Sequence, residues 1–259
     1  MEVASLKEIE FLKDLSDYKI SLLKKYMNFT LEENKKFNLT SLDSEDEFIV
    51  KNILDSLLVV KFLQDDFSNK RVVDIGSGAG LPGIPLAIYY PNTKFYLLEP
   101  TTKRANFLKR AIEFLKLENV EVINERAELL ARSNFEKFDI ATARAVANIN
   151  ILLELAMPLL KIGGTFIAYK GKNYKEEANS IKLALNELKT SSKLVVNCTL
   201  PYTTEERNFA FFEKKEEISN KYPRNYSLIK KRPLWRIGLY LSLIKKAESE
   251  RSPQQATWE

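Results

Sequence analysis

The sequence predicts an α/β protein: a mostly parallel sheet with helices on both faces, preceded by an all-helical N-terminal cap. Three observations carry this. Residues 1–66 place their apolar side chains at helical spacing. From residue 67 onward, short β-branched apolar runs alternate with amphipathic helical stretches. A glycine-rich turn follows the first of those runs. Strand–helix alternation implies parallel pairing, because parallel strands need a crossover between them.

The elements follow in order. In the cap, Leu6, Ile9, Leu12, Leu15, Leu22, Leu23 and Tyr26 recur near the 3.6-residue period. "FNLTSLDSEDEF" (37–48) interrupts with cap-forming Thr, Ser and Asp. A second apolar face follows in "FIVKNILDSLLVVKFL" (48–63). "RVVDI" (71–75) reads as a buried strand, and "PGIPLAIYY" (82–90) as a helix whose prolines suit its start. "KFYLLE" (94–99) is the second strand, ended by Glu99. "TTKRANFLKRAIEFLKL" (101–117) is an amphipathic helix with Thr at the N-cap. "NVEVINE" (119–125) and "KFDIATAR" (137–144) are strands, "NINILLELAMPLL" (148–160) a helix, and "KIGG" (161–164) a turn. "TFIAYKG" (165–171) is the fifth strand, and "YKEEANSIKLALNELKT" (174–190) one further helix. "KLVVNCTL" (193–200) and "NFAFFEKK" (208–215) have no helix between them and should pair antiparallel. The polar tail, 235–259, carries no recognisable role.

Composition excludes much. The 259 residues contain no histidine and one cysteine, Cys198. That removes histidine bases, His-based triads, disulfides and Cys/His zinc sites together, so no metal is expected. No secretory signal and no run near the ~18 apolar residues of a membrane span is present, so a cytoplasmic monomer is expected. Net charge is +5, but residues 221–236 hold six basic side chains and no acidic one. Such a cluster suits a phosphate backbone, or is a solvated tail.

The glycine turn narrows the ligand. Gly83 is followed by Ile84 and Pro85, so the lysine of a triphosphate loop is missing. In the dinucleotide spacing G-x-G-x-x-G from Gly76 and Gly78, the third glycine falls on Leu81. What is left is Asp74 with Gly76, Gly78 and Gly80 at alternate positions. Glycines let a ligand approach the backbone closely. Asp74 would repel phosphates but suit a sulfonium, and Glu99 could accept hydrogen bonds from a ribose. A cationic nucleoside of this kind is S-adenosylmethionine; NAD is the alternative.

With "VDIGSGAGLPGIPLAI" (73–88), "KR" (103–104) with "FL" (107–108), "RAE" (126–128), "ARAVA" (143–147), "KG" (170–171) and "KYPR" (221–224), the chain resembles the bacterial 16S rRNA guanine-N7 methyltransferases. That family is also called glucose-inhibited division protein B. "NLT" (38–40) and "DSL" (55–57) match its cap. The resemblance spans residues 20–234 and implies a seven-stranded class I (Rossmann-like) methyltransferase domain over 67–234, with a cap over 1–66. It implies S-adenosylmethionine as methyl donor, S-adenosylhomocysteine as product, and 16S rRNA or the small subunit as partner. The implied target is the guanine at position 527 (standard rRNA numbering), in the 530 loop. Cofactor contacts carried onto this chain are Gly76, Leu81, Glu99, Ala127, Glu128 and Arg144, beside Asp74, Gly78 and Gly80 of the turn. Two positions depart from the family: Asn52 stands where a histidine is common, and Glu99 where Asp is usual.

Guanine N7 is a lone-pair acceptor and loses no proton before methylation, so a chain without histidine can serve. Arg144 could fork a methionine carboxylate, an RNA phosphate or a structural carboxylate. Lys170 could meet RNA at the rim. Phosphate contacts are expected from Lys103, Arg104, Arg207, Arg224, Lys230 and Arg232. Tyr222 is a stacking candidate, unless it packs beside Pro223. Cys198 is expected in the core. A dehydrogenase and a non-catalytic ribosome-assembly protein are the competing functions.

Overall fold

In the computed structural model, residues 2–36, 39, 44–63, 67–133, 135 and 137–234 are described. Positions 38 and 40 of the "NLT" block, and the whole of 235–259, lie outside the described residues.

The cap opens with two 3₁₀ turns, Val3–Glu8 and Glu10–Leu12, and continues as α1 (Asp17–Asn34). Ser16 caps α1 by accepting from the Lys19 N–H at 3.3 Å, which satisfies one otherwise unpaired donor of the first turn. α2 (Glu45–Phe48) runs without a break through a π-helical stretch, Ile49–Leu54, into α3 (Asp55–Leu57) and a 3₁₀ turn, Leu58–Phe62. Leu6, Leu12, Leu15, Leu22, Leu23 and Tyr26 are all buried, as their spacing requires.

The sheet then alternates with helices: β1 (Arg71–Ile75), α4 (Gly83–Tyr89), β2 (Lys94–Leu98), α5 (Thr102–Leu115), β3 (Val120–Ile123), α6 (Ala127–Leu130) and β4 (Phe138–Arg144). α7 (Ile149–Ala156), β5 (Leu160–Lys170), α8 (Tyr174–Ala178), α9 (Lys182–Glu187), β6 (Thr190–Thr199), β7 (Glu206–Lys214) and α10 (Tyr226–Lys231) complete it. Seven strands lie in the order β3-β2-β1-β4-β5-β7-β6. β1 to β5 pair in parallel, while β7 runs antiparallel to both β5 and β6. The expected antiparallel final pair is therefore present. The strand order reverses between β1 and β4, and the loops leaving those strands meet at that switch point, where sheets of this kind bind their ligands. One apolar core packs the cap, α4 and α5 on one face; the other packs α6, α7, α9 and α10 on the opposite face.

Three local readings need correction. The "KIGG" turn is a bulge inside β5. Leu160 pairs Phe138 and Thr165 pairs Ile140, so four residues lie opposite Asp139, and Gly163 takes φ +80° to allow it. The single helix expected over 174–190 is two. Ser180 bonds the Glu177 carbonyl with both its N–H (3.2 Å) and its hydroxyl (2.9 Å), offering the backbone an alternative to the helix. Thr101 stands at the N-cap of α5, but its side chain makes no capping bond.

Gly83, at the start of α4, shows how tightly this helix sits on the sheet. A Cβ there would lie 2.3 Å from Leu97 Cδ2 and 2.9 Å from Asp74 Oδ2. Gly83→Ala should therefore lower unfolding free energy by about 1–3 kcal/mol, the usual cost of overpacking, in urea titrations. Wild-type stability in that variant would show that the contact is not tight.

Candidate active site

The loop after β1 is held from three sides. Gly80 and Leu81 donate back to the Ser77 carbonyl at 2.7 and 3.0 Å, closing a turn. Tyr26, from α1 of the cap, donates its hydroxyl to the Ala79 carbonyl at 2.8 Å. Glu99, just beyond β2, accepts from the Gly78 N–H at 2.9 Å through one oxygen and from the Thr101 N–H at 2.9 Å through the other. Each carboxylate oxygen keeps a second lone pair for a ribose hydroxyl.

The alternate glycines do different jobs. All three adopt positive φ (+69°, +58° and +95°). A Cβ on Gly76 would strike Val146 at 2.8 Å, and one on Gly80 would strike Ile84 at 2.4 Å. A Cβ on Gly78 would meet only the Gly76 carbonyl, at 3.8 Å. Gly78 alone of the three thus faces open space, beside the Glu99 carboxylate that holds its N–H. That is the opening through which a nucleoside could lie on bare backbone. Ala127 and Glu128 open α6 at the same end of the sheet and are buried; the Glu128 carboxylate has no hydrogen-bond partner among the described residues. Leu81 is buried in the cap-side core, so it supports the loop more than it walls the cleft.

Asp74 does not present its charge to a ligand, contrary to the sequence reading. It is fully buried, with Oδ1 accepting from Thr142 Oγ1 at 2.9 Å and Oδ2 from the Gly83 N–H at 3.2 Å. It ties β1 to β4 and α4. Burial pushes its carboxyl up to about 6, against the pull of these hydrogen bonds.

Most of the cations assigned to RNA or cofactor are already paired. Arg144, at the end of β4, donates to the Lys51 carbonyl at 2.8 Å, to Asp55 Oδ2 at 3.0 Å and to Asn52 Oδ1 at 2.8 Å. It grips the cap and does not stand free to fork a methionine carboxylate. Arg207 donates to Asp55 Oδ1 at 2.7 Å and to Glu205 at 2.8 Å. Lys170 is held by Glu177 at 2.7 Å and the Ala147 carbonyl at 2.9 Å. Arg224 forks the fully buried Glu154, at 2.7 and 2.6 Å. Tyr222 is buried and donates to Glu187 at 2.8 Å, so the expected stacking face is absent and the packing alternative holds. Cys198 sits half-buried on the edge strand β6, opposite Arg207 and packed against the margin of the cap-side core, not deep within it. The structure leaves Lys103 and Arg104 exposed in the first turn of α5, and Lys230 and Arg232 exposed at the end of α10.

Three residues matter here that the sequence reading did not single out for the site: Tyr26, Asn52 and Asp55. Tyr26 was visible only as one apolar position of α1. Asp55 lay inside the "DSL" block, where nothing local distinguishes a clamp from a surface acid. Asn52 keeps its Nδ2 buried without a partner. Around Asp55, Arg144 and Arg207 lies a cavity of about 430 Å³, also lined by Lys51, Tyr169, Lys170 and Lys172. It opens at the carboxyl ends of β4 and β5, next to the glycine loop. Among the described residues, no cluster could hold a metal ion and no helix is long and apolar enough to cross a membrane.

The same fold occurs in solved structures. MtNAS, determined with S-adenosylmethionine, matches with TM-score 0.52 and 19% identity over 83% of this chain and 85% of that one. A putative O-methyltransferase from Klebsiella pneumoniae matches with TM-score 0.50 and 15% identity over 74% of this chain and 90% of that one. The fold is that of the class I, Rossmann-like methyltransferases. Sequence comparison is more specific. The model of the GidB family, rRNA small subunit methyltransferase G, matches residues 19–209. "Ribosomal RNA small subunit methyltransferase G" of Caldicellulosiruptor bescii is 41% identical over 82% of this chain and 91% of its own length. Its namesake from Caldanaerobacter subterraneus is 42% identical over 85% and 92%. The chain belongs to this family.

Two outcomes are expected. Asp55→Ala should lower stability by about 3 kcal/mol, because it strands two arginines in a largely desolvated site; a loss within a few tenths in urea would show that the clamp is dispensable. Asp74 binds its proton more tightly folded than unfolded. Its contribution is therefore full below about pH 4 and lost as pH rises through about 6. The stability of wild type relative to Asp74→Asn should fall across that window, and a pH-independent difference would contradict the assignment.

Proposed function

We infer that this protein transfers the methyl group of S-adenosylmethionine to N7 of a guanine in 16S rRNA. The observation that carries the reading is the open space at Gly78, whose N–H is held by Glu99, in a chain of the rRNA small subunit methyltransferase G family. The target we propose is guanine 527 of the 530 loop, on the strength of the sequence blocks shared with that family. We propose further that it acts as a monomer, in the cytoplasm.

The residues present fit the cofactor. Gly78 bares the loop backbone, Glu99 has lone pairs for a ribose, and Ala127 with Glu128, at the start of α6, are the further positions that would contact the cofactor by the family resemblance. S-adenosylmethionine, when bound, supplies a methyl group on a positively charged sulfur. The protein's share is then orientation and exclusion of water. Guanine N7 has no proton to remove, so no base is required of this chain. Placement alone can contribute about 7–11 kcal/mol in favourable cases. The cavity beside Arg144 and Lys170 is where the base would enter. Its cations are held by acids, so it offers a fixed polar wall without a mobile acid or base.

Purified enzyme and S-adenosylmethionine, incubated with undermethylated small subunits or free 16S rRNA, should yield one N7-methylguanine on mapping. Methylation at another atom, or none, would end the reading. Gly78→Asp should weaken S-adenosylhomocysteine binding at least tenfold by calorimetry while the fold persists, since it fills the one open glycine position. NAD should not bind.

A further inference from the structure

A splayed target base leaves its neighbours in the loop unstacked, and a protein that holds such a loop needs an aromatic surface for them. Tyr222 cannot provide it. Three aromatic side chains count among the strongly exposed large hydrophobics of the described residues: Tyr18 (68%), Phe114 (53%) and Tyr202 (65%). Tyr18 lines a cavity with Asn92, Thr93 and Lys94, at the amino end of β2. Phe114 lies in the last turn of α5 and stacks on Phe29 at 4.9 Å. Tyr202 alone of the three stands at the catalytic end. It sits in the β6–β7 turn, beyond the pairs Thr199↔Glu206 and Lys170↔Asn208 that close the sheet there.

The turn is rigid and aims the ring outward. Leu200 is fully buried, and its N–H bonds the Glu205 carbonyl at 2.9 Å. Thr203 returns both its N–H and its hydroxyl to the Leu200 carbonyl, at 3.1 and 2.8 Å. The Glu205 N–H then bonds the Thr203 hydroxyl at 3.0 Å. Tyr202 is held at φ +65°, a region bulky residues seldom occupy. The base of the turn is fastened to the cavity: Glu205 pairs with Arg207 at 2.8 Å and Lys51 at 3.7 Å, and Arg207 with Asp55. The turn itself, residues 200–206, carries no basic side chain, so it offers a phosphate nothing and a base the face of the ring.

Resting on the rRNA reading above, we propose that Tyr202 is a stacking platform for an unpaired rRNA base next to the methylated guanine. The contact is sequence-tolerant, because every base offers a π-face. It makes the β6–β7 turn an RNA-positioning element, distinct from the basic α10.

The test uses the full chain and undermethylated small subunits. Tyr202→Asn removes the ring but tolerates the left-handed backbone; Tyr202→Trp keeps a ring. The Asn variant should lose about 5- to 150-fold in kcat/KM for subunits, chiefly through KM, corresponding to ~1–3 kcal/mol of stacking. Its S-adenosylhomocysteine affinity and thermal midpoint should stay at wild-type values, and the Trp variant should retain activity within about threefold. The salt slope of RNA binding should not change, since no phosphate contact is lost. Wild-type kcat/KM in the Asn variant would overturn the proposal and leave the enzyme assignment standing. A reduced salt slope, or lost S-adenosylhomocysteine binding, would overturn it too, by showing a phosphate or structural role. Inactivity of the wild type on these subunits would overturn both readings.

Discussion

One carboxylate holds the molecule's working end together. Asp55, on the cap, divides its two oxygens between Arg144 at the end of β4 and Arg207 at the start of β7. Those arginines then reach Lys51 and Asn52 on the cap and Glu205 in the turn before β7. Cap, central strand and edge hairpin thereby share one charge centre, 6% exposed at Asp55 and 16% at each arginine. In such a site the attraction is weakly screened, but an orphaned partner is costly. The arrangement is therefore stable only when complete, which fixes the cavity's shape on three sides at once.

The glycine loop depends on the same cap from another direction. Tyr26 reaches from α1 to the Ala79 carbonyl, while Glu99 draws in the Gly78 N–H from the far side. Asp74 anchors the strand beneath the loop by bonding Thr142 and the start of α4. Gly76 and Gly80 are required by protein neighbours, Val146 and Ile84. Gly78 is favoured by its left-handed backbone, but no side chain of the protein crowds it. The three glycines looked equivalent in sequence. Only their surroundings separate two packing constraints from one position that exposes backbone to a ligand.

The alternation of strands and helices, the seven strands and the final antiparallel pair were legible, because burial on both faces leaves apolar runs with a recognisable period. Family membership was legible too, in the blocks around the loop. The roles of the cations were not. Arg144 meets Asp55 across 89 positions of chain, Arg207 meets it across 152, and Arg224 meets Glu154 across 70. A sequence displays charge but not partnership, so residues that are structural ties read as phosphate contacts. The β5 bulge and the break between α8 and α9 were hidden for a related reason. Both are settled locally, by the left-handed backbone at Gly163 and by the bonds of Ser180 to the Glu177 carbonyl, which compete with an otherwise sound pattern.

This redistribution of roles bears on how such an enzyme meets RNA. If Arg144, Arg207, Lys170 and Arg224 served as free phosphate contacts, binding would rest on mobile side chains, and the cavity would be as loose as they are. Paired with Asp55, Glu205, Glu177 and Glu154, they instead form a rigid and nearly neutral frame, and attraction of an anionic partner over about a Debye length is left to the exposed cations around it. The chemistry asks for little more. A nucleophile with no proton to lose needs neither base nor acid, only a fixed place beside its methyl donor. A chain without a single histidine, whose polar residues are largely spent holding one another, is consistent with that demand.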